Sequence, residues 1–208
     1  METLGKLFGG EAKTKIIRLF LFNPEAHYTA LDVSSRTGVA PIRARKALIE
    51  LIKSGLIRTK LAPKENKGKK AGAKAKKARE SAYHLDQKFP HIAILSDLMV
   101  EASVRADSHL AAKIMVAGKV KLILAAGIFV HQNDARLDLL IVSEDINENK
   151  LARAIKSIET DMGRDLAYSS LTSSDFQYRL GLHDRLVRDI IDFPHIVLVD
   201  RIGFRTRK

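Results

Sequence analysis

The segment PIRARKALIELIKSGLIRTKL, residues 41–61, combines a helix, a stop and the start of a strand. Because proline is tolerated in the first helical turn, where its missing N–H needs no partner, we expect the helix to begin at Pro41. Its apolar side chains recur at the spacing of one helical face: Ala44, Ala47, Leu48, Leu51 and Ile52. Gly55 then ends the helix, and residues 56–61 are typical of a strand. The segment therefore predicts an amphipathic helix with a buried apolar face, followed at once by a strand.

Two further helices are predicted before this segment. Residues 11–22 carry an apolar stripe beside three cations, and Pro24 ends that helix because the residue before a proline leaves the helical region. Thr29 is expected to cap a short second helix, with Asp32 as its capping-box partner. Gly38 suits the left-handed conformation that ends such a helix. The sequence thus predicts three helices in succession, joined by short turns.

The third helix is basic on the face opposite its apolar stripe. This face carries three cations with a fourth at its flank, namely Arg43, Lys46, Lys53 and Arg45. Two helices joined by a short turn that contains glycine, the second of them basic outside, are typical of a helix-turn-helix. The strand at 56–61, a polar loop and the segment AYHLD, residues 82–86, add a two-stranded hairpin. The first 89 residues therefore predict a winged helix-turn-helix domain.

The net charge of +12 is confined to the first part of the chain. Residues 1–90 contain 20 Lys and Arg against 8 Asp and Glu, whereas residues 91–208 contain 16 of each kind. Such an asymmetry indicates that one half of a protein meets a polyanion. We expect the partner to be double-stranded DNA. RNA is an alternative, because charge alone does not distinguish the two.

Residues 62–81 are interpreted as a long, lysine-rich wing. Within residues 64–79, eight side chains are basic and one, Glu65, is acidic. This composition cannot bury apolar surface, and we expect its lysines to contact phosphates with little sequence information. The expected contacts are Lys67, Lys69, Lys70, Lys74, Lys76 and Lys77. The alternative is a solvated loop that serves only solubility.

Residues 90–118 have apolar side chains at helical spacing and end at Gly118, which is interpreted as a helix stop. We interpret this stretch as a helical connector that either contributes to a dimer interface or only packs between domains. From 119 to 208, apolar strand-like runs alternate with amphipathic helices, one of them expected to be capped by Ser173 or Ser174. Strands that alternate with helices indicate a small α/β domain. The expected fold class of the whole chain is therefore α+β.

Nearly the whole sequence resembles a winged helix fused to a minimal nucleotidyltransferase-like domain, as in antitoxins and kanamycin-type nucleotidyltransferases. In the first domain the resemblance lies in LFGGEAKTKIIRLFLFNPEAHYTALDVSSRTGVA, residues 7–40. In the second domain it lies in VKLILAAGIFV (120–130), RLDLLIV (136–142), SSLTSSDFQYRL (169–180) and LVRDIIDFPHIVLVD (186–200). The resemblance implies a nucleotidyltransferase-like fold for residues 119–208.

The resemblance also implies that this second domain is catalytically dead. Members that transfer nucleotides carry a Gly-Ser pair after the first strand and an Asp-x-Asp on the second, which hold the triphosphate and its Mg²⁺ ions. Here Asp138 matches the second aspartate, but Arg136 replaces the first and would repel Mg²⁺, and residues 125–128 contain no serine. Asp165 and Asp134 do not rebuild a two-metal site. Asp138 is thus a vestige, and no metal or cofactor is expected. The domain would serve dimerisation, partner binding or nucleotide sensing.

Other chemistries lack their motifs. The absence of cysteine excludes disulfides, thiolate metal sites and cysteine nucleophiles. None of the seven histidines lies three or four residues from another, and neither a phosphate-binding glycine loop nor a Gly-x-Ser-x-Gly elbow occurs. No apolar run approaches eighteen residues, and the first ten residues do not have the build of a secretory signal. We therefore expect a cytoplasmic protein without a membrane span.

The leading interpretation is a DNA-binding transcriptional regulator whose third helix, residues 40–54, enters the major groove. Four side chains of that helix are placed near base edges or flanking phosphates: Ile42, Arg43, Arg45 and Lys46. Arg36 and the wing lysines would hold the DNA backbone. The alternatives are a nucleotidyltransferase acting on a small molecule, tRNA or protein, and an antitoxin-like protein-interaction module. A homodimer is expected, because winged-helix regulators often pair on two-fold sites.

Overall fold

The structure of the protein is a computed structural model that describes residues 2–63, 79–104, 107–132 and 134–204. These residues form helices and two separate β-sheets, so the chain is a mixed α and β protein, as expected. They divide into two compact units, residues 2–93 and the residues from 94 onward. No helix within the described ranges has the length and apolar character needed to cross a membrane.

The first unit contains three packed helices, a short N-terminal helix and a three-stranded sheet. Its elements are α1 (Glu2–Leu7), α2 (Glu11–Leu21), β1 (Tyr28–Thr29), α3 (Ala30–Thr37), α4 (Pro41–Lys53), β2 (Ile57–Pro63) and β3 (Arg79–Leu85). The sheet order is β1-β3-β2, with both pairs antiparallel. Helix α1 and the two-residue strand β1 were not predicted from the sequence. Both are too short to produce a periodic pattern.

The predicted helix signals of the first unit are confirmed. Thr29 and Asp32 form a reciprocal capping box at the start of α3, and the helix ends at Gly38 with a φ of 64°. Pro41 lies in the first turn of α4. Gly38 and Pro41 therefore fix the short turn between α3 and α4, whereas the capping box fixes the start of α3.

The apolar face of α4 is narrower than predicted. Four of its side chains are buried, namely Ala44, Ala47, Leu48 and Leu51. Ile52, which was also expected to face the core, is 36% exposed, so that prediction is wrong. At about 100° per residue, Ile52 lies about 80° around the helix from Ala44, at the margin of the buried stripe. The core around this stripe includes Ile16, Leu19, Phe20, Val33, Ile57 and Leu85.

The second unit consists of a four-stranded mixed sheet with its helices. Its elements, with α5 starting at the boundary between the units, are α5 (Ile92–Val104), α6 (Asp107–Met115), β4 (Gly118–Ala125), a 3₁₀ turn (Gly127–Val130), β5 (Leu139–Ile146), α7 (Glu148–Met162), β6 (Tyr168–Leu171), α8 (Ser173–Gly181), α9 (Arg185–Ile191) and β7 (Ile196–Asp200). The sheet order is β6-β5-β4-β7. Strand β4 is antiparallel to β5 and β7, and β6 is parallel to β5.

Two local predictions for the second unit are wrong. Gly118 does not end a helix, since it is the first residue of β4, and a Cβ there would overlap the carbonyl oxygen of Asp145 on the paired strand. A glycine is needed at that position because the two strands approach so closely. The cap of α8 is Thr172 instead of Ser173 or Ser174, and its side chain accepts a hydrogen bond from the N–H of Asp175.

Candidate nucleic-acid interface

The solvent face of α4 mixes apolar and cationic side chains. Ile42 is 84% exposed and Ile49, two turns further on, is 54% exposed. Lys46 and Lys53 are exposed on the same side of the helix, because residues at this spacing lie within about 60° of one another. The centre of this face is therefore a line of two isoleucines with a lysine beside each.

Arg43 and Arg45 lie on opposite flanks of that central line. Successive residues of an α-helix are about 100° apart, so these two side chains point about 160° away from each other. Both are exposed. The structure thus places Ile42 and Lys46 near the middle of the face and the two arginines at its edges, although all four were expected near base edges or flanking phosphates.

Arg36 lies in the last turn of α3 and is exposed. Its guanidinium carbon lies 5.4 Å from the centroid of the Tyr28 ring, in the geometry of a cation–π contact. Tyr28 is buried in β1, with its ring edge against Phe20 at a centroid distance of 5.8 Å. The side chain of Arg36 is thus held against a buried aromatic ring.

The hairpin brings the two ends of the lysine-rich segment together. Strands β2 and β3 pair in antiparallel register from Ile57 opposite Leu85 to Pro63 opposite Arg79. Residues 63 and 79, which flank the rest of the lysine-rich segment, therefore lie opposite each other in the hairpin. The predicted phosphate contacts of that segment lie outside the described residues: Lys67, Lys69, Lys70, Lys74, Lys76 and Lys77.

A cleft beside α4 was missed by the sequence reasoning. It has a volume of about 580 Å³ and lies between the start of α2 and the turn that joins α3 to α4. Four cationic side chains line it, namely Lys13, Lys15, Arg43 and Lys46. The Nζ of Lys13 lies 3.0 Å from the Oε2 of Glu50. This ion pair holds the pKa of Glu50 below its ordinary value, mainly through the hydrogen bond from Lys13.

A pair of histidines lies at one end of the three-stranded sheet. The rings of His27 and His84 are stacked with their centroids 4.9 Å apart. Burial, followed by the charges of His27 and Lys60, lowers the pKa of His84 from its ordinary value. On the neighbouring strand, Arg58 forms an ion pair with Asp86 at 2.6 Å. This end of the sheet therefore disfavours a positive charge on His84.

In the second unit, Asp138 faces inward. It is 7% exposed, and its Oδ1 accepts a hydrogen bond from the N–H of Ile128 at 3.0 Å. Its Oδ2 accepts another from the N–H of Ala167 at 2.9 Å. Gly127, at a φ of 53°, lies so close that an added Cβ would overlap Oδ1. Both carboxylate oxygens are thus used to join two loops of the backbone.

The other polar residues that the sequence resemblance singled out have separate partners or face solvent. The Nε of Arg136 lies 3.2 Å from the Oδ2 of Asp189 on α9. Asp165 is 72% exposed in its side chain and lies 3.8 Å from the Nζ of Lys156. Asp134 is exposed. Within the described ranges, no three acidic or histidine side chains come together in a way that could hold a metal ion, so these aspartates do not form one site with Asp138.

No family model matches the sequence, and neither a curated protein nor a solved structure matches the chain.

Proposed function

We propose that the first unit is a winged helix-turn-helix domain that binds double-stranded DNA, and that the protein regulates transcription. The observation that carries this proposal is the exposed, cationic face of α4, which follows a short capped turn after α3. An exposed basic helix that follows another helix across a tight turn is the arrangement with which helix-turn-helix proteins enter the major groove.

The order of elements in the first unit supports the same proposal. Three helices, α2, α3 and α4, are followed by the β2–β3 hairpin, and the short strand β1 adds a third strand beside β3. The hairpin is the wing, and residues 64–78, which join its two strands in the sequence, contain a large share of the positive charge of this unit. One extended polyanion could therefore contact the domain at two places, the basic helix α4 and the hairpin.

Four exposed residues of α4, together with Arg36 of α3, have roles in this proposal. Lys46 reaches base edges or phosphates in the groove, and Ile42 makes an apolar contact of the kind that reads the methyl group of thymine. Arg43 and Arg45, on opposite flanks, reach the two phosphate backbones that border the groove. Arg36, stacked on Tyr28, holds a backbone phosphate near the start of α4.

For the second unit we propose a nucleotidyltransferase-like scaffold without transferase activity, which serves dimerisation, partner binding or nucleotide binding. The support lies in Asp138 and Arg136. The carboxylate of Asp138 is occupied by two backbone N–H groups, and Arg136 places a cation two residues before it. Neither residue is arranged to hold Mg²⁺ for phosphoryl chemistry.

A protein-interaction module is the second candidate function. Ile42 and Ile49 expose large apolar surfaces on the same line of α4. Exposed apolar side chains that are bordered by charges are also found at protein interfaces. In an antitoxin-like protein, α4 would then bind another protein instead of DNA. The two candidates differ in their partner, but not in the helix that they use.

Selection from a random DNA pool tests the proposed function. Full-length protein is incubated with random duplexes, the bound fraction is amplified through several rounds, and the products are sequenced. Enrichment of a defined motif is the expected result. Enrichment should disappear for the double variant Arg43→Ala/Lys46→Ala. A pool that stays random, together with a stable complex between the protein and a neighbouring gene product, would instead favour the interaction module.

A further inference from the structure

The cleft next to α4 has the size and charge of an anion site. Its volume of about 580 Å³ falls within the range of small-ligand sites. Two helices that are distant in sequence supply its cations, with Lys13 and Lys15 from α2 and Arg43 and Lys46 from α4. The acidic side chains in its lining are Glu11 and Glu50, so cations exceed acids by two to one.

The backbone around the cleft adds to this positive potential. Helix α2 begins after Gly10 and helix α4 after Ala40, and both residues line the cleft. Neither residue provides a side-chain cap for its helix. The first N–H groups of a helix have no intrahelical acceptor and carry a partial positive charge. The start of α2 thus reinforces the four cationic side chains, and the start of α4 does so only from Ile42 onward, because Pro41 has no N–H.

Lys13 is already paired with an anion in this structure. Its Nζ contacts the carboxylate of Glu50 at 3.0 Å, and both side chains are partly exposed, at 26% and 43%. Such a surface ion pair contributes little to stability, so an incoming dianion can compete for Lys13. Glu50 is therefore an internal competitor whose removal should strengthen anion binding at the cleft.

We propose that this cleft binds a phosphate group. A phosphate offers up to two negative charges and several acceptor oxygens, which fit cations on two walls together with backbone N–H donors. The phosphate has two possible sources, the backbone of the duplex that α4 contacts and a free phosphorylated molecule. The first source rests on the proposed function, and the second is independent of it. Because Arg43 and Lys46 belong both to the cleft and to α4, a free phosphate in the cleft would compete with DNA.

The binding test uses pyrophosphate as the probe and the full-length, ¹⁵N-labelled protein. Saturable shifts are expected for the amide resonances of Gly9, Gly10 and Ala40. The variant Lys15→Gln should weaken pyrophosphate binding by about tenfold, as expected for the loss of one charge-assisted hydrogen bond. Glu50→Gln should strengthen it, because Lys13 is then released. Lys150→Gln, on α7 of the second unit, is the control with the same change in charge, and it should leave binding unchanged. A thermal melt of each variant shows whether it is folded.

The two sources are distinguished by DNA titrations at several salt concentrations. If the phosphate belongs to DNA, Lys15→Gln should lower the slope of log K against log salt by about one, and Lys150→Gln should not. If the phosphate belongs to a free molecule, pyrophosphate should bind and displace the duplex, but the salt slope of Lys15→Gln should equal that of the wild type. Absence of any shift with pyrophosphate, combined with an unchanged salt slope, would overturn the proposal. If the protein binds no DNA, the absence of any shift with pyrophosphate overturns the proposal by itself, because that titration needs no DNA.

Discussion

The carboxylate of Asp138 occupies the space in which a side chain on Gly127 would lie. Gly127 has a left-handed backbone, with a φ of 53°, and an added Cβ would overlap the Oδ1 of Asp138. That same Oδ1 accepts the N–H of Ile128, which follows Gly127 in the chain. The aspartate therefore acts as a structural clamp on the turn after β4.

Replacement of Gly127 by alanine should lower the free energy of unfolding by about 2 kcal/mol or more. The left-handed conformation alone costs a residue with a Cβ about 1–2 kcal/mol, and the overlap with Asp138 adds to this cost. Urea denaturation measures the change. Gly181→Ala is the matched control, because an added Cβ there has open space and the residue ends helix α8. Equal stability of the two variants would contradict the role given to Gly127.

Removal of the Asp138 carboxylate should also destabilise the protein. Asp138→Ala leaves the N–H groups of Ile128 and Ala167 without their acceptor, at a cost of about 1–3 kcal/mol for the buried N–H of Ile128 and less for that of Ala167, an exposed residue. Asp138→Asn keeps one acceptor oxygen, so its loss of stability should be smaller. Chemical denaturation of both variants gives the order. If Asp138→Ala were as stable as the wild type, the carboxylate would not be a clamp, and a functional role for it would have to be reconsidered.

The capping box of α3 should contribute about 1 kcal/mol to stability. In Thr29→Ala the helix loses the hydroxyl that accepts from the N–H of Asp32 at 3.2 Å. Ser35→Ala is a control in the same helix, since its hydroxyl only donates to the carbonyl oxygen of Asp32 in an exposed position. Thermal unfolding should show a lower midpoint for Thr29→Ala than for Ser35→Ala. The same midpoint for both variants would show that the capping box does not stabilise the start of helix α3.

The stability of the first unit should decrease when the pH falls below the ordinary histidine pKa of 6.5. Burial and the nearby charges of His27, Lys60 and Arg58 disfavour protonation of His84, and Asp86 opposes them only in part, so the pKa of His84 lies below its ordinary value of 6.5. The unfolded chain therefore takes up protons at this residue before the folded chain does, so stability is complete above pH 6.5 and is lost below it. Urea denaturation at pH 7.5 and at pH 5.5 measures this loss.

The variant His84→Gln should show a weaker pH dependence over the same interval. His91→Gln is the control, because His91 is exposed and lies outside the stacked pair. It should retain the wild-type pH dependence. A His84→Gln variant that loses stability between pH 7.5 and 5.5 as steeply as the wild type would show that another group is responsible.

Local signals explain how much of the fold could be predicted from the sequence. Thr29, Asp32, Gly38 and Pro41 each determine the backbone next to them, so the turns around α3 and α4 could be located correctly. Gly118 was misinterpreted for the opposite reason. Its role depends on the carbonyl oxygen of Asp145 on the neighbouring strand, which no local pattern reveals.

Only the part of the candidate site that lies on helix α4 could be predicted from the sequence. Periodicity identified the basic outer face of α4 and the position of Arg45 at its flank, because both follow from the angle of about 100° between successive residues. The cleft contains the contact between Lys13 and Glu50, which are 37 residues apart in the sequence. Such a contact follows from the packing of α2 against α4 and leaves no trace in the spacing of charges.

The most direct test of the central claim is a fluorescence-anisotropy titration of full-length protein and its Lys46→Ala variant. The ligands are a duplex from the region upstream of the gene and a scrambled duplex of the same composition, each at about 50 and 200 mM salt, the range over which phosphate contacts weaken. We expect the wild type to prefer the native duplex at both salt concentrations, and we expect Lys46→Ala to lose about tenfold in affinity for it. Equal binding of both duplexes that disappears at the higher salt concentration, in both proteins, would contradict sequence reading by α4.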